Sequence, residues 1–331
     1  MRILVAGGAG YVGSALVPQL IDRGHDVTVV DLLWFGNNLP PGVPVVRKDL
    51  MEIAPEELDG VDQVIFLGGL SNDPMAEYSP RQNFISNAAA PAYLAYTAKR
   101  AGVRRFIYGG SCSVYGRAAD EPCDEEAPAA SRDPYGISKL QGEFAARQLQ
   151  SESFSVIALR KGTVCGFSPR MRFDLVVNTM FKTALTDGVI TVNNPAIWRP
   201  ILAVQDAVSA YLRAVECGSG VSGIFNVASG NYTLGQIGND VLSSLKRHMR
   251  IEPQLVTRRD PGVRNYKVNF DRARRALGFK PRYDVAAIVE ELCAHRGRFG
   301  DLADERYSNI DTFKRLDGTP REPVLAGGAA A

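Results

Sequence analysis

The fold is decided by the first 31 residues, MRILVAGGAGYVGSALVPQLIDRGHDVTVVD, which run from Met1 to Asp31. A nearly continuous apolar run over residues 2–6 leads into a cluster of glycines, and apolar residues then recur at helical spacing over residues 12–21. A second apolar run ends at Asp31. This order predicts a buried strand, a glycine turn, a helix and a second strand.

The glycine cluster has the spacing of a phosphate-binding turn. Gly8, Gly10 and Gly13 match G-x-G-x-x-G, and Gly7 with the last two matches the variant G-x-x-G-x-x-G. Glycines allow a tight turn, so the backbone amides at the start of the following helix can approach a pyrophosphate. Because this turn lies between a predicted strand and a predicted helix, it indicates a dinucleotide site.

Asp31 ends the second predicted strand, 18 residues after Gly13. A carboxylate at this position accepts hydrogen bonds from the ribose hydroxyls of adenosine and repels a 2′-phosphate. Leu32 and Leu33 follow it, and neither carries a charge that would attract such a phosphate. These features favour NAD over NADP, although an acid at this position could also be a simple surface residue.

Strands and helices continue to alternate along the chain. Further strands are predicted at residues 43–49, 63–67, 104–109 and 155–160. A long helix is predicted over residues 81–101. This alternation predicts a doubly wound parallel sheet, whose strand ends open onto one crevice. Asp49 and Leu50 are expected to flank an adenine there.

Tyr135 and Lys139 are the main candidates for proton transfer. They stand four residues apart at the start of a predicted helix, so their side chains lie on one face, one turn apart. Ser111 follows the fifth predicted strand and can share the same volume, with Ser113 as the alternative serine. Singly, the tyrosine could be a packed aromatic and the lysine a solvated one. Their occurrence together, after a dinucleotide turn, favours catalysis.

The composition argues against several classes of partner. Lys and Arg number 38 against 36 Asp and Glu in 331 residues, and a formal charge of +2 gives no case for nucleic acid or a membrane surface. Five scattered cysteines are typical of reduced thiols, and three dispersed histidines predict no metal site. We see no signal-peptide pattern and no apolar stretch near the ~20 residues of a membrane span, so a cytoplasmic location is expected.

Together, the glycine turn, Asp31, Ser111, Tyr135 and Lys139 closely resemble the extended short-chain dehydrogenase/reductase family, in its nucleotide-sugar epimerase/dehydratase branch. The resemblance covers nearly the whole chain, with further matches in the expected order at residues 66–70, 113–116, 134–139 and 198–206. It implies an α/β fold with a Rossmann-like, doubly wound parallel sheet and a smaller, mostly C-terminal α/β substrate-binding domain.

The resemblance also implies the domain limits and the assembly. The NAD-binding domain is expected over residues 1–164, with residues 199–228 returning to it. The substrate-binding domain is expected over residues 165–198 and 229–315, followed by a flexible tail at residues 316–331. Relatives form dimers through helices that correspond to residues 81–101 and 134–151, so a homodimer is expected.

The site residues that the resemblance implies fall into three groups. The catalytic residues are Ser111, Tyr135 and Lys139. The NAD-binding residues are Tyr135 and Lys139 with Gly7, Gly10, Tyr11, Val12, Asp31, Asp49, Leu50, Leu67, Gly68, Gly69 and Asn87. The nucleotide-sugar ligands are Ser71, Ser111, Ser113, Thr163, Arg172 and Arg199, with Arg259 or Arg264 from either side of a turn at residues 260–262. Arginine suits the diphosphate because its planar fork binds phosphate oxygens in pairs.

In this family the tyrosine acts as a base. A free tyrosine has a pKa of ~10, so this role near neutral pH needs a fall of roughly 3 units, worth about 4 kcal/mol. Lys139 and the positive nicotinamide ring are expected to supply it by stabilising the phenolate. Ser111 is expected to hydrogen-bond the substrate oxygen that loses or gains the proton.

Departures from the family pattern narrow the reaction. Dehydratases of this branch carry an Asp-Glu pair directly after the catalytic hydroxyl residue, where this chain has Cys112 and Ser113. Its 3,5-epimerases place a cysteine two residues before Tyr115, where this chain again has Ser113. We expect an extended loop here, in which neighbouring side chains point apart, and Cys112 as a small buried filler. A 4-epimerase is the leading prediction, a ketoreductase or dehydrogenase the alternative, and a non-catalytic nucleotide sensor the third.

The second half of the chain is less informative. Thr163 and Cys165 stand where many relatives have an asparagine and an aromatic residue, so diphosphate contacts there are in doubt. Residues 168–174 are expected to open a helix that runs to about Leu185. Periodicity is lost beyond Phe299, and the Gly/Ala-rich residues 325–331 are expected to be frayed.

Overall fold

The computed structural model describes residues 1–116, 121–259 and 264–318, so the turn at residues 260–262 and the tail from residue 319 lie outside the described residues. The strands are β1 (Arg2–Ala6), β2 (Asp26–Asp31), β3 (Val45–Arg47), β4 (Gln63–Phe66), β5 (Arg105–Ser111), β6 (Ser155–Lys161), β7 (Thr163–Cys165), β8 (Val189–Asn193), β9 (Trp198–Ala203), β10 (Gly223–Val227), β11 (Gly230–Thr233) and β12 (Gln254–Arg258). The helices are α1 (Gly13–Asp22), α2 (Asp73–Tyr78), α3 (Pro80–Phe84), α4 (Ala90–Arg100), α5 (Pro134–Gln148), α6 (Val176–Thr186), α7 (Val204–Glu216), α8 (Leu234–Met249), α9 (Asp271–Leu277), α10 (Val285–Ala294) and α11 (Asn309–Asp317).

Seven strands form one parallel sheet in the order β3-β2-β1-β4-β5-β6-β10. Every residue of β4 and β5 is buried, because helices cover both faces of the sheet. Helices α1 and α7 pack on one face, and α4 and α5 pack on the other. This arrangement confirms the predicted doubly wound parallel sheet.

The strand order reverses at β1, which pairs with β2 on one side and with β4 on the other. In doubly wound sheets a ligand crevice opens at such a reversal, outside the carboxyl ends of the strands. The glycine turn follows β1 directly, and the turn at residues 67–69 follows β4. The fold therefore brings these two turns to one crevice.

Two smaller sheets stand beside the large one. The first has the order β11-β9-β7, and the second pairs β12 with β8 in parallel. Helices α6, α8 and α10 pack against one another beside them. Strand β10 pairs with β6 in the large sheet, while β9 belongs to a small one. The division into two domains stays a prediction.

The helix predicted to open at residues 168–174 is not found there. Residues 168–174 are not helical, and α6 begins only at Val176, after an extended Leu175. In this segment side chains bind groups outside it instead of continuing a helix, as the hydrogen bond from the Ser168 hydroxyl to the Tyr11 carbonyl shows. Beyond Phe299, helix α11 forms because Ser308 caps it and Phe313 packs on Trp34 with ring centroids 5.4 Å apart. Among the described residues, no helix combines the length and apolarity needed to cross a membrane.

Candidate active site

Two adjoining cavities open along the crevice. The larger has a volume of about 420 Å³ and the smaller of about 120 Å³. They share Gly7, Gly10, Phe35 and the turn at residues 67–69. A ligand with two lobes can therefore lie across both, joined where these residues meet.

The glycine turn depends on the absence of side chains at two positions. Gly7 has a φ of 77°, and a Cβ there would collide with the backbone of Gly68. A Cβ on Gly13 would lie 2.6 Å from two backbone atoms of Gly8. At Gly10 the nearest atom to a Cβ would be the Gly7 carbonyl oxygen at 3.4 Å, so the space is open there. The turn and the helix N-terminus are thus free for a phosphate to approach.

Tyr11 and Val12 complete the glycine turn and line the larger cavity. The Tyr11 hydroxyl donates to the Gly166 carbonyl at 2.6 Å and accepts from the Asn178 amide at 3.0 Å. These bonds fasten the glycine turn to the segment that follows β7.

Asp31 lines the smaller cavity together with Asp49 and Leu50, as expected for an adenosine pocket. Its carboxylate accepts hydrogen bonds from the backbone amides of Ala9, at 3.0 Å, and Leu33, at 2.8 Å. Burial nevertheless raises the pKa of Asp31 above its usual range. The sequence-predicted acid therefore stands at the cavity in a fixed orientation.

Leu67, Gly68 and Gly69 line both cavities, whereas Asn87 lines neither. Asn87 is buried in the π-helical segment Ile85–Ala89, which joins α3 to α4 and interrupts the predicted long helix. Its amide donates to the Leu70 carbonyl at 2.9 Å. Asn87 therefore holds the turn after β4 in place and stands behind the crevice.

Ser111, Tyr135 and Lys139 meet at the larger cavity. The Ser111 and Tyr135 side chains stand near each other there, and the interaction with Ser111 lowers the pKa of Tyr135. The Lys139 ammonium donates to the Gly109 carbonyl at 3.2 Å, and burial lowers the pKa of Lys139 to about 8. The structure thus brings together the three residues that the sequence singled out, with Ser111 at the end of β5 and the other two in the first turns of α5.

The pKa of Tyr135 differs from the expectation for a base. Burial raises it, while the interaction with Ser111 and the charge of Arg172 act in the opposite direction. The residues present therefore keep Tyr135 protonated at neutral pH.

Cys112 lies in a 3₁₀ turn, Cys112–Tyr115, and not in the extended loop that we expected. Its thiol is fully buried and donates to the Arg160 carbonyl at 3.0 Å, and burial raises its pKa. Cys165 is also fully buried with a raised pKa. Neither thiol can act as an acid in the cavity.

The predicted substrate ligands are only partly brought together. The larger cavity is lined by Ser71, Ser111, Ser113, Thr163, Arg172 and Arg264. Arg199 stands beside them without lining the cavity, and its guanidinium donates to the carbonyls of Trp198 and Arg264. Arg259 is exposed and lines neither cavity.

Two arginines at the larger cavity are already paired with acids. Arg172 forms a bidentate ion pair with Asp174, at 2.8 and 2.9 Å, and donates to Ser71 at 3.0 Å. Arg264 forms an ion pair with Asp73. Although burial raises the pKa of Asp174, the charge of Arg172 lowers it overall. Arg172 thus has few donors left for a substrate.

Several residues that line the larger cavity were not predicted from the sequence, and four of them have large or charged side chains: Phe35, Lys161, Arg170 and Tyr266. Lys161 ends β6, and its ammonium donates to the Tyr211 hydroxyl at 2.8 Å. Burial and then the charge of Lys139 lower the pKa of Lys161 to about 7. Tyr266 stands near Ser113, which lowers the pKa of Tyr266 against the larger effect of its burial. An ionisable residue at the carboxyl end of a central parallel strand is a usable signal for Lys161, whereas the other three lie in irregular segments without a sequence pattern.

The geometry suits a dinucleotide. The glycine turn has no side chain that would keep a phosphate from its backbone amides. The Asp31 carboxylate lines the smaller cavity. The hydroxyl cluster stands in the larger one. Fold and site define a nucleotide-dependent oxidoreductase-type enzyme with a Ser-Tyr-Lys centre.

The family model described as "NAD dependent epimerase/dehydratase family" matches residues 3–228. The chain belongs to this family, and it is an enzyme that uses NAD. The resemblance to the extended short-chain dehydrogenases/reductases is thereby confirmed.

Relatives and solved structures agree with this family. A UDP-glucose 4-epimerase of Corynebacterium glutamicum is 25% identical over 323 residues, which cover 91% of this chain and 97% of that protein. A UDP-glucose 4-epimerase of Rhizobium meliloti is 29% identical, covering 87% of this chain and 95% of that protein. Among solved structures, MoeE5 in complex with UDP-glucuronic acid and NAD has a TM-score of 0.79 and 25% identity, covering 90% of this chain and 99% of the other.

Proposed function

We propose that this enzyme is a nucleotide-sugar 4-epimerase that inverts C4 of a nucleotide-linked hexose through a transient 4-ketone, with NAD held tightly throughout. The observation that carries the proposal is the meeting of Ser111, Tyr135 and Lys139 at one end of a continuous two-lobed crevice. The names of the relatives support C4 as the reacting carbon and a UDP-sugar as the substrate.

The acids of the larger cavity support epimerisation over dehydration. Its lining contains Asp73 and Asp174, and both are paired with arginines. Tyr135 is therefore the group best placed to exchange a proton with substrate. Dehydration would need a further acid and base, and Cys112 is buried away from the cavity with a raised pKa.

In the proposed mechanism Tyr135 Oη accepts the proton of the C4 hydroxyl and later returns it. Ser111 Oγ, which lines the same cavity beside Tyr135, holds the substrate oxygen within reach of that atom. Lys139, buried and held by Gly109, favours the phenolate once substrate has excluded water. NAD, when bound, supplies the hydride acceptor and a positive ring that lowers the pKa of Tyr135 further.

The same proposal assigns the remaining binding residues. Gly7, Gly10, Tyr11, Val12 and Asp31 bind NAD with the residues at 49–50 and 67–69, and Asn87 supports that last turn. Arg264 and Arg199 approach the substrate diphosphate, which Arg264 can do by exchanging Asp73 for phosphate. Arg259 is not assigned, because it is exposed outside both cavities.

The test is turnover without added cofactor. Purified protein is incubated separately with UDP-glucose, UDP-galactose, UDP-glucuronic acid and UDP-N-acetylglucosamine, and the sugars are followed by NMR. The proposal expects the C4 epimer of at least one of them, with no net NADH. Steady production of NADH would identify a dehydrogenase, and consumption of added NADH with a 4-keto sugar a ketoreductase. Binding of all four sugars without turnover would favour the nucleotide sensor.

We further propose a homodimer formed through α4 and α5, acting in the cytoplasm. These helices pack together, yet Tyr96 is 51% exposed and Phe144 is 60% exposed on them. Large exposed apolar side chains on neighbouring helices are typical of an interface. The five unpaired cysteines support a reducing compartment. Sedimentation should give a dimer at micromolar concentration, and Phe144→Glu should give a monomer.

A further inference from the structure

Arg170 is a buried cation without a counter-ion. Its side chain is 3% exposed, and its Nη2 atom has no hydrogen-bond partner. Among the described residues, no carboxylate lies within ion-pair distance of it. Two residues along, Arg172 has the opposite character, since Asp174 and Ser71 occupy its guanidinium. Arg172 therefore has its counter-ion within the protein, whereas Arg170 has none among the described residues.

Arg170 lines the larger cavity, and its guanidinium stands beside a residue that the two cavities share. Its Cζ atom is 3.9 Å from the centroid of the Phe35 ring, and Phe35 lines both cavities. The Asp31 carboxylate is close enough for the two charges to influence each other. Arg170 therefore lies between the smaller cavity, which contains Asp31, and the part of the larger cavity that contains Tyr135.

Backbone contacts fix this position over the start of α1. The Arg170 amide donates to Ser14 Oγ at 3.2 Å, and Ser14 is the second residue of α1. Ser14 Oγ also lies 2.9 Å from Ser168 Oγ. The cation is thereby held beside the glycine turn and the helix N-terminus, which both favour an anion.

An isolated buried charge is unfavourable, so such a residue either loses its charge or has a partner that completes the site. Burial and the charge of Arg172 lower the pKa of Arg170 to about 9, which still leaves it protonated at neutral pH. The charge is therefore present, and the missing partner is an anion at the junction of the two lobes.

We propose that Arg170 binds the diphosphate of NAD, together with the backbone amides of the glycine turn. A nucleoside diphosphate is the chemistry that fits, and this chain meets two of them, in NAD and in the nucleotide sugar. The position between Asp31 and the larger cavity favours NAD. The proposal depends on NAD as the cofactor and not on the 4-epimerase reaction, and a binding measurement separates the two.

The experiment compares Arg170→Met with Arg298→Met. Arg298 is the matched control because it also stands over a phenylalanine ring, 5.6 Å from the centroid of Phe167, but lines neither cavity. Each protein is loaded with the fluorescent analogue 1,N6-etheno-NAD, and displacement by ADP-ribose and by adenosine is measured. UDP binding to the NAD-loaded protein is measured separately by thermal unfolding. The quantity compared is the UDP concentration that gives half of the maximal rise in melting temperature.

Arg170→Met should weaken ADP-ribose binding by about 30-fold, since the lost hydrogen bonds join two charged groups. Adenosine and UDP should change less than about twofold, and Arg298→Met should resemble the parent protein. Equal weakening of adenosine and ADP-ribose would show that Arg170 only shapes the pocket. If only the affinity for UDP falls, Arg170 binds the substrate diphosphate and not that of NAD. Either result overturns the proposal, as does an unchanged ADP-ribose affinity.

Thermal unfolding of the NAD-free proteins provides a second readout. Removing an uncompensated charge should leave the NAD-free Arg170→Met protein at least as stable as the parent, whereas a purely structural arginine would lower its melting temperature. If Arg170→Met does not fold, the binding measurement is made on Arg170→Lys instead. Arg170→Lys then decides the ligand, because it keeps the charge without the planar fork and should lose ADP-ribose affinity by about 3- to 10-fold.

Discussion

The crevice has two walls that are built differently. The nucleotide wall consists of the turns at residues 7–13 and 67–69 with Asp31, and it presents mainly backbone and one carboxylate held by backbone amides. The substrate wall consists of residues 161–176 and 264–266, and it presents long charged side chains held by partners far away in the chain. The conformation of the nucleotide wall is therefore determined mainly by residues that are close in sequence. The substrate wall forms only when distant segments of the chain pack together.

The largest expected effect contrasts two tyrosines that line the larger cavity, of which only Tyr266 belongs to the substrate wall. Tyr135→Phe should lower turnover by roughly 10³-fold, because it removes the hydroxyl that exchanges the proton. Tyr266→Phe removes a hydroxyl that stands near Ser113, and turnover should fall by about tenfold or less. Steady-state kinetics measure both, with NAD content as the control for intact binding. Equal losses would mean that proton transfer is not confined to Tyr135.

The next effect tests whether the substrate wall depends on its ion pairs. Asp174→Asn leaves Arg172 buried without its partner, so the free energy of unfolding should fall by about 3 kcal/mol. Glu252→Gln is the matched control, since its pair with Lys246 is exposed and should contribute less than about 1 kcal/mol. Urea unfolding distinguishes them. Similar losses from both variants would contradict the role given to burial.

The nucleotide wall can be tested with two of its glycines. Gly13→Ala places a Cβ against the Gly8 backbone and should destabilise the protein by about 3 kcal/mol. Gly10→Ala meets only the Gly7 carbonyl oxygen at 3.4 Å and should change stability by less than about 1 kcal/mol. Urea unfolding of NAD-free protein measures both. Unchanged stability of the Gly13→Ala protein would show that the backbone of the turn can shift. In that case the glycines would not determine its conformation.

The smallest expected effect is a pH dependence from Lys161. Its pKa is about 7 in the folded protein and ~10.4 in an unfolded chain, so the unfolded state binds more protons between these values. The cost of burying the ammonium is therefore complete below pH 7 and diminishes as the pH rises. Lys161→Met should raise the free energy of unfolding more at pH 6 than at pH 9, by about 2 kcal/mol.

The control for that measurement is Lys280→Met, whose side chain is exposed. Urea unfolding of each variant at pH 6 and pH 9 gives the comparison with the parent protein. A Lys161→Met effect of the same size at both pH values would show that the lysine is not buried as a charge beside Lys139.

The nucleotide wall was predictable because its signals are local in sequence. The strand, the glycine turn and Asp31 lie within 31 residues, and each expresses a backbone requirement that few residue types meet. Tyr135 and Lys139 were equally predictable, since a spacing of four places two side chains on one helical face.

The substrate wall was not predictable to the same degree. A helix was expected over residues 168–174, but the structure has an irregular segment whose side chains reach Ser14, Tyr11 and Ser71. Nothing near Arg170 in the sequence indicates that it lacks a counter-ion, or that Arg172 has one. Such facts depend on which distant groups arrive at the same place.

The sequence by itself determined the doubly wound sheet, the cofactor class and the Ser-Tyr-Lys centre, because periodicity, glycine placement and helical spacing act through the nearest residues. Only the tertiary structure decided which arginines remain available, which cysteines are buried and where Lys161 and Tyr266 stand. Burial and charge pairing are properties of the packed chain, and they set the pKa and the free hydrogen-bond donors of each side chain.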